Sequence, residues 1–189
     1  MELKEIANLL LGFFLGVFGS WLFWKYLLFL QPRVKISRIL LKGSHHIRTN
    51  EIVYRIKIYN SGRRQVVDLV ASATVVRVKE KNRYITLREL KLSFDGQIPS
   101  LGAVQDFGNP LHAISPVFHF QILDEINLEG QLADDEWIFF TLSARDALSG
   151  TDKVQRVAFN RDNIKKGKFL YGLTFDIAEH RANNSVGAD

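Results

Sequence analysis

Residues Asn50–Tyr59 read NEIVYRIKIY. Ile52, Tyr54, Ile56 and Ile58 fall on one side of an extended chain, and Arg55, Lys57 and Tyr59 fall on the other. A period of two with one apolar face describes a strand on a core, and Asn60-Ser61-Gly62 after it is a turn signal. The same pattern repeats outward from this segment. Val34–Leu40 precedes it as a first strand. Gln65–Lys79 comes after it as a long β-branched run, apolar on both faces in its middle. Tyr84–Leu92, Val117–Leu123, Glu136–Ala144, Lys153–Phe159 and Phe169–Ile177 complete the set. About eight short strands, with no long helical period after residue 31, predict an antiparallel β-sandwich. Asp95–Pro116 holds three glycines and three prolines and reads mainly as loop. The tail from Glu179 to Asp189 is polar and is expected to fray.

Upstream the composition changes. Ile6–Leu30 reads IANLLLGFFLGVFGSWLFWKYLLFL, with Lys25 its one charge. About 20 apolar residues span a hydrocarbon core, so this stretch is a transmembrane helix by length. Trp21, Trp24 and Tyr26 gather at one end as an interfacial belt, and Lys25 can extend from there to the headgroups. A cleaved signal peptide fits less well: Lys4 sits between Glu2 and Glu5, the apolar run is too long, and no small-residue cleavage site comes after it. Gln31-Pro32 stops the helix. Only Lys4 precedes the span, whereas Arg33, Lys35, Arg38, Lys42 and Arg48 come after it with no acid before Glu51. The positive-inside rule puts the N-terminus outside and the large domain in the cytoplasm. Gly12, Gly16 and Gly19 lie on nearby faces, and Gly12 to Gly16 is a G-x-x-x-G pattern, a candidate helix-packing surface. The expected layout is a helix over 6–30, a basic juxtamembrane linker and first strand over 31–49, the β domain over 50–178 and a tail over 179–189.

The chain has 189 residues, 25 basic and 20 acidic, for a net charge of +5. That balance is modest and carries no dense basic stripe, which speaks against nucleic acid as a partner. The chain has no cysteine, so disulfides, thiolate metal sites and cysteine nucleophiles are excluded. His45-His46 alternate faces in a strand and chelate one metal poorly; His112 and His180 stand alone, and His119, between Phe118 and Phe120, reads as a packed or edge histidine. Asp124-Glu125 and Asp134-Asp135-Glu136 read as solvated turn acids with no calcium-loop spacing. Ser115 and Ser149 lack a nucleophile elbow, Arg145-Asp146 lacks the other kinase elements, and no phosphate-cradling glycine motif occurs. No enzyme, no cofactor and no metal site is expected. The linker residues Arg33, Lys35, Arg38, Lys42 and Arg48 are candidate contacts for anionic lipid headgroups, each worth about 1 kcal/mol near a membrane surface. Setting topology alone explains them equally well. Arg161, Lys165, Lys166 and Lys168 form a second basic group, read as a solvated turn.

Four segments resemble the cytoplasmic domain of inward-rectifier potassium channels. They are Tyr54-Arg-Ile-Lys-Ile-Tyr-Asn60; Ile114-Ser-Pro-Val-Phe-His119 with Ile122-Leu-Asp124; Trp137–Asp146 with Ser149-Gly-Thr151; and Ile164-Lys-Lys-Gly167-Lys-Phe169. They keep their order across residues 50–177. The resemblance implies an immunoglobulin-like antiparallel β-sandwich, and with it oligomerisation or lipid sensing. It does not imply conduction. The chain has no Thr-Val-Gly-Tyr-Gly filter and one membrane helix instead of two around a pore helix. The expectation is a membrane-anchored binding or scaffold module that joins other membrane proteins or its own copies. An accessory or lipid-responsive channel subunit is the alternative.

Overall fold

A computed structural model describes residues 3–44, 52–79, 83–109, 114–123 and 127–178. The tail from Glu179, the His45-His46 pair, Arg48, His112, His180 and Asp124-Glu125 lie outside the described residues. Helix α1 spans Leu3–Phe29, 27 residues. At about 1.5 Å per residue it is roughly 40 Å long, more than the hydrocarbon core of a bilayer. Its stretch Leu10–Leu27 is apolar enough to cross a membrane, and none of it is buried against the rest of the chain. Leu30 N–H closes the last turn on the carbonyls of Tyr26 and Leu27, and Pro32, which has no N–H, stands two residues beyond.

The remainder is mainly β. Among the described residues twelve strands run in chain order: β1 (Val34–Ile36), β2 (Leu40–Ser44), β3 (Ile52–Asn60), β4 (Val66–Lys79), β5 (Arg83–Leu90), β6 (Gln97–Leu101), β7 (Val117–Ile122), β8 (Glu136–Asp146), β9 (Asp152–Phe159), β10 (Ile164–Lys166), β11 (Lys168–Phe169) and β12 (Ile177–Ala178). A one-turn helix, α2 (Leu128–Gln131), precedes β8. One five-stranded sheet centres on β3. Strands β1 and β2 lie antiparallel along one side of it, β7 along the other, and β10 runs parallel to β2. The second five-stranded sheet centres on β4 and β8, with β5 and β6 end to end on the far side of β4 and β9 beside β8. Both sheets contribute to one apolar cluster. Phe120 of β7 and Phe140 of β8 meet across it with ring centroids 5.6 Å apart.

Four expectations need correction. The first strand, read as Val34–Leu40, is broken: Ser37 Oγ accepts from Ile39 N–H at 3.0 Å, and the strand resumes at Leu40 and runs to Ser44. The stretch read as loop from Asp95 to Pro116 contains β6. Its Pro99 falls opposite Asp68, where the register with β4 skips both residues and Asp68 takes a φ of 50°, so the missing proline N–H breaks no ladder bond. Phe169–Ile177 is a hairpin of β11 and β12, closed by Leu170 N–H on the Asp176 carbonyl at 2.9 Å. The fourth concerns β3, whose polar face is not in water. Arg55 is 7% exposed and Lys57 1%. Arg55 donates to the Ser44 carbonyl at 2.7 Å, and Lys57 Nζ donates to the Leu170 carbonyl at 2.8 Å beneath the β11–β12 hairpin. Burial pushes the Lys57 ammonium below its ordinary value, and the Asp176 charge opposes that only in part.

Candidate functional site at the helix exit

The last carbonyls of a helix lack intrahelical partners. Here the Leu30 carbonyl is met by two hydroxyls from the turn between β8 and β9: Ser149 Oγ and Thr151 Oγ1, each at 3.3 Å. These two oxygens lie 2.8 Å apart, and Ser149 Oγ is also 3.0 Å from Asp146 Oδ1. Each hydroxyl has one proton. Ser149 gives its proton to the charged acceptor, Asp146, and Thr151 is left to serve Leu30. At 3.3 Å the Thr151 bond is a long hydroxyl bond, so the clasp contributes about 1 kcal/mol and acts mainly by fixing position.

Asp146 organises the turn. It is 2% exposed. Its Oδ1 accepts from the N–H groups of Leu148 at 3.1 Å and Ser149 at 2.9 Å, and its Oδ2 pairs with Arg64 Nε at 3.0 Å. Burial alone would raise this carboxyl. The Ser149 backbone and hydroxyl, the Leu148 N–H and the Arg64 charge outweigh it, and the group is held below the usual carboxylate range.

The β3–β4 loop closes the other side. Asn60, fully buried, donates from Nδ2 to the carbonyls of Arg64 at 2.6 Å and Gly102 at 2.8 Å, and its Oδ1 accepts from Gly62 N–H at 2.8 Å. Ser61 bonds the Arg33 carbonyl through both N–H and hydroxyl at 2.8 Å. Because β3 runs antiparallel to β1, its end returns to the helix exit and brings Arg63 and Arg64 beside Arg33. Together with Phe29, Gln31 and Asp146 these arginines line a cleft of about 500 Å³.

The proposed lipid-binding set is divided by this geometry. Arg33 is exposed at the helix exit with its guanidinium 5.2 Å from the Phe29 ring centre. Lys35 is exposed, with its ammonium 5.7 Å from the Tyr59 ring centre, and Arg38 is exposed at the break between β1 and β2. Val34 pairs with Asn60 of β3 and Lys42 with Tyr54, six residues away, which puts Lys42 about 20 Å further along the sheet. It is paired there with Glu129 at 3.0 Å. That hydrogen bond holds the Glu129 carboxyl below its ordinary range, with the charges of Lys166 and Arg161 adding to it. Lys42 is therefore set apart from Arg33 and Lys35 and has an acidic partner within the domain. Arg63 and Arg64 did not stand out in the sequence. The signal was topological: an antiparallel neighbour of the first strand must end where the helix ends.

Gly12, Gly16 and Gly19 lie within about 60° of one another on α1 at 100° per residue. A Cβ built at any of them meets nothing within 4 Å. His119 stacks at 5.8 Å on Phe169, a packed position. Asp134 and Asp135 lie exposed in a turn, while Glu136 is buried and bonded to Arg77 at 2.7 Å. Among the described residues no three histidine, aspartate or glutamate side chains converge on a metal-sized site.

Replacing Ser149 by alanine together with Thr151 by valine should cost about 1 kcal/mol and loosen the helix from the domain. Amide exchange at residues 30–34 should quicken in the double variant while exchange in β8 stays slow. Equal protection at residues 30–34 would show that the hydroxyls do not hold the junction.

No family model matches the chain, and no curated protein matches it.

Proposed function

We propose that the chain is a single-pass, membrane-anchored binding or scaffold module that works within a membrane protein assembly and performs no catalysis. The observation that carries this reading is α1. Leu10–Leu27 is apolar, long enough to span a bilayer and covered by none of the described residues, and the chain enters the domain through a defined clasp at Leu30. Lipid covers most of such a helix, and the open strip at Gly12 and Gly16 admits a second helix backbone. The excess of basic residues after the span supports an N-terminus outside and a β domain in the cytoplasm. Two sheets around one core are what an immunoglobulin-like sandwich of the inward-rectifier type requires, and that resemblance supports recruitment of neighbours over any reaction.

Topology and association are tested on the same chain, which has no cysteine of its own. A cysteine in place of Asp134 should be shielded from a membrane-impermeant thiol reagent in intact cells, and one in place of Glu2 should be labelled. Gly12→Leu with Gly16→Leu should reduce the size of the complex in mild detergent. A monomer in both forms with no co-purifying protein refutes the assembly role, and reversed labelling refutes the orientation.

A second reading, a lipid-responsive subunit, is favoured by Arg33 and Arg63, both exposed at the rim of the cleft below the helix. Two such charges contribute about 2 kcal/mol to anionic lipid binding, about 30-fold in affinity. Arg33→Gln with Arg63→Gln should lose that much affinity for a short-chain anionic lipid, measured by native mass spectrometry of the detergent-solubilised protein. An unchanged affinity removes this role.

A further inference from the structure

The turn that clasps the helix carries an uncovered leucine. Leu148 is 75% exposed. A single surface leucine is ordinary. This one differs in how it is held and where.

The turn is not loose. Leu148 N–H and Ser149 N–H both point into the Asp146 carboxylate, Gly150 N–H donates to the Asp146 carbonyl at 2.9 Å, and Gly150 takes a φ of 67° that suits glycine. Ala147 N–H donates to the Gln65 carbonyl at 3.2 Å, which ties the turn to the loop carrying Arg63 and Arg64. The backbone of Leu148 is thus engaged with the domain while its side chain is left outside.

Its place is set by the clasp. Leu148 precedes Ser149, whose hydroxyl is 3.3 Å from the Leu30 carbonyl, so by bond lengths its Cα lies within about 10 Å of that carbonyl. Leu30 is the last residue of the apolar run that begins at Ile6 and stands about 6 Å along the axis past Tyr26 of the aromatic belt, at the interface end of the span. Ala147 beside it is exposed, and Asp146, two residues before it, lines the same cleft as Arg33, Arg63 and Phe29, which is 67% exposed. Apolar tips among basic side chains are the composition that settles at a lipid–water interface.

We propose that Leu148 enters the bilayer interface beside the helix exit, so that the chain meets the membrane at two points and the β domain is held in one orientation against it. The proposal rests on the reading of α1 as a membrane span. The occupant is the lipid surface itself: acyl chains and glycerol meet Leu148 and Phe29, and headgroup phosphates meet Arg33 and Arg63. The helix alone leaves rotation and tilt of the domain free, and the second contact removes that freedom.

Single cysteines in place of Leu15, Leu148 and Asp134 in the full chain, reconstituted in anionic liposomes and nitroxide-labelled, test this by power saturation. The ratio of accessibility to oxygen over a nickel chelate reports depth. The label at 15 should read deep, the label at 134 aqueous, and the label at 148 shallow but severalfold more oxygen-accessible relative to nickel than the label at 134. If 15 is deep and 148 matches 134, the insertion is refuted while the membrane span stands. If 148 is shielded from both reagents, protein covers it and the lipid assignment is wrong. If 15 is aqueous, the span itself fails, and the insertion with it.

Discussion

Phe140→Ala should lower the stability of the β domain by about 3–5 kcal/mol, among the largest effects expected of a single substitution in this chain. Phe140 is fully buried near the middle of β8, opposite Ala73 on β4 and Val157 on β9. Its ring meets Phe120 of the opposite sheet at 5.6 Å. Strand pairing fixes the backbone on both sides, so neither neighbour can move in to fill the space. The loss combines the transfer energy of a benzyl group with the cavity left behind. A domain of this size is stable by about 5–15 kcal/mol, so the variant should sit near the edge of folding. Denaturant titration of the full chain in detergent, followed by the β-sheet circular dichroism signal, measures it. A loss below about 1 kcal/mol would mean that the two sheets do not pack face to face through this ring.

Asp146→Ala should come next, at about 2–4 kcal/mol. The substitution leaves the N–H groups of Leu148 and Ser149 and the Arg64 guanidinium without their acceptor. The Arg64 side chain is 30% exposed and can turn to water, which keeps the effect below that of a fully buried pair. The pH dependence separates the charge from the shape. The folded-state value of Asp146 lies below the ordinary 3.8, so its contribution is full above 3.8 and is lost as pH falls through the lower folded value. Asp146→Asn removes the charge at every pH. The gap between wild type and Asp146→Asn should be widest near neutrality and should close below pH 3.8. A gap constant from neutral to acid pH would show that the carboxylate charge contributes nothing and that only its shape matters. Because the same carboxylate sets the turn that holds Leu30, Asp146→Ala should also reproduce the loosened junction of the Ser149 and Thr151 variant.

The local patterns were legible where one physical rule acts alone. An apolar run longer than the hydrocarbon core of a bilayer predicts a helix of that length, and Leu3–Phe29 is one. Strands β3, β4, β7, β8 and β9 fall where alternation and β-branched residues put them, within a residue or two. Ser149-Gly150-Thr151 stood out only through the family resemblance, not as a clasp. Arg33, Lys35, Arg38 and Lys42 were visible as a run of charge, but a run does not say which of them stay exposed and which pair within the domain.

What failed did so because its cause lies outside the pattern that was read. Lys57 alternates as a surface residue should, yet it is buried because a carbonyl 113 positions later, at Leu170, lies over it. Pro99 speaks against a strand until Asp68 on β4 is found to leave the ladder at the same level. Val34–Leu40 reads as one extended segment, and only the Ser37 hydroxyl taking the Ile39 N–H breaks it. Sequence by itself determined the membrane-length helix, the mainly β class of the chain beyond it and the absence of cysteine chemistry, because each depends on composition or on periods of two and of 3.6 within a short window. Tertiary structure decided that β3 has two buried faces, that Lys42 belongs to Glu129, and that Arg33, Arg63 and Asp146 line one cleft at the helix exit. Those outcomes depend on which strands become neighbours, and strand pairing brings together residues that no local window contains.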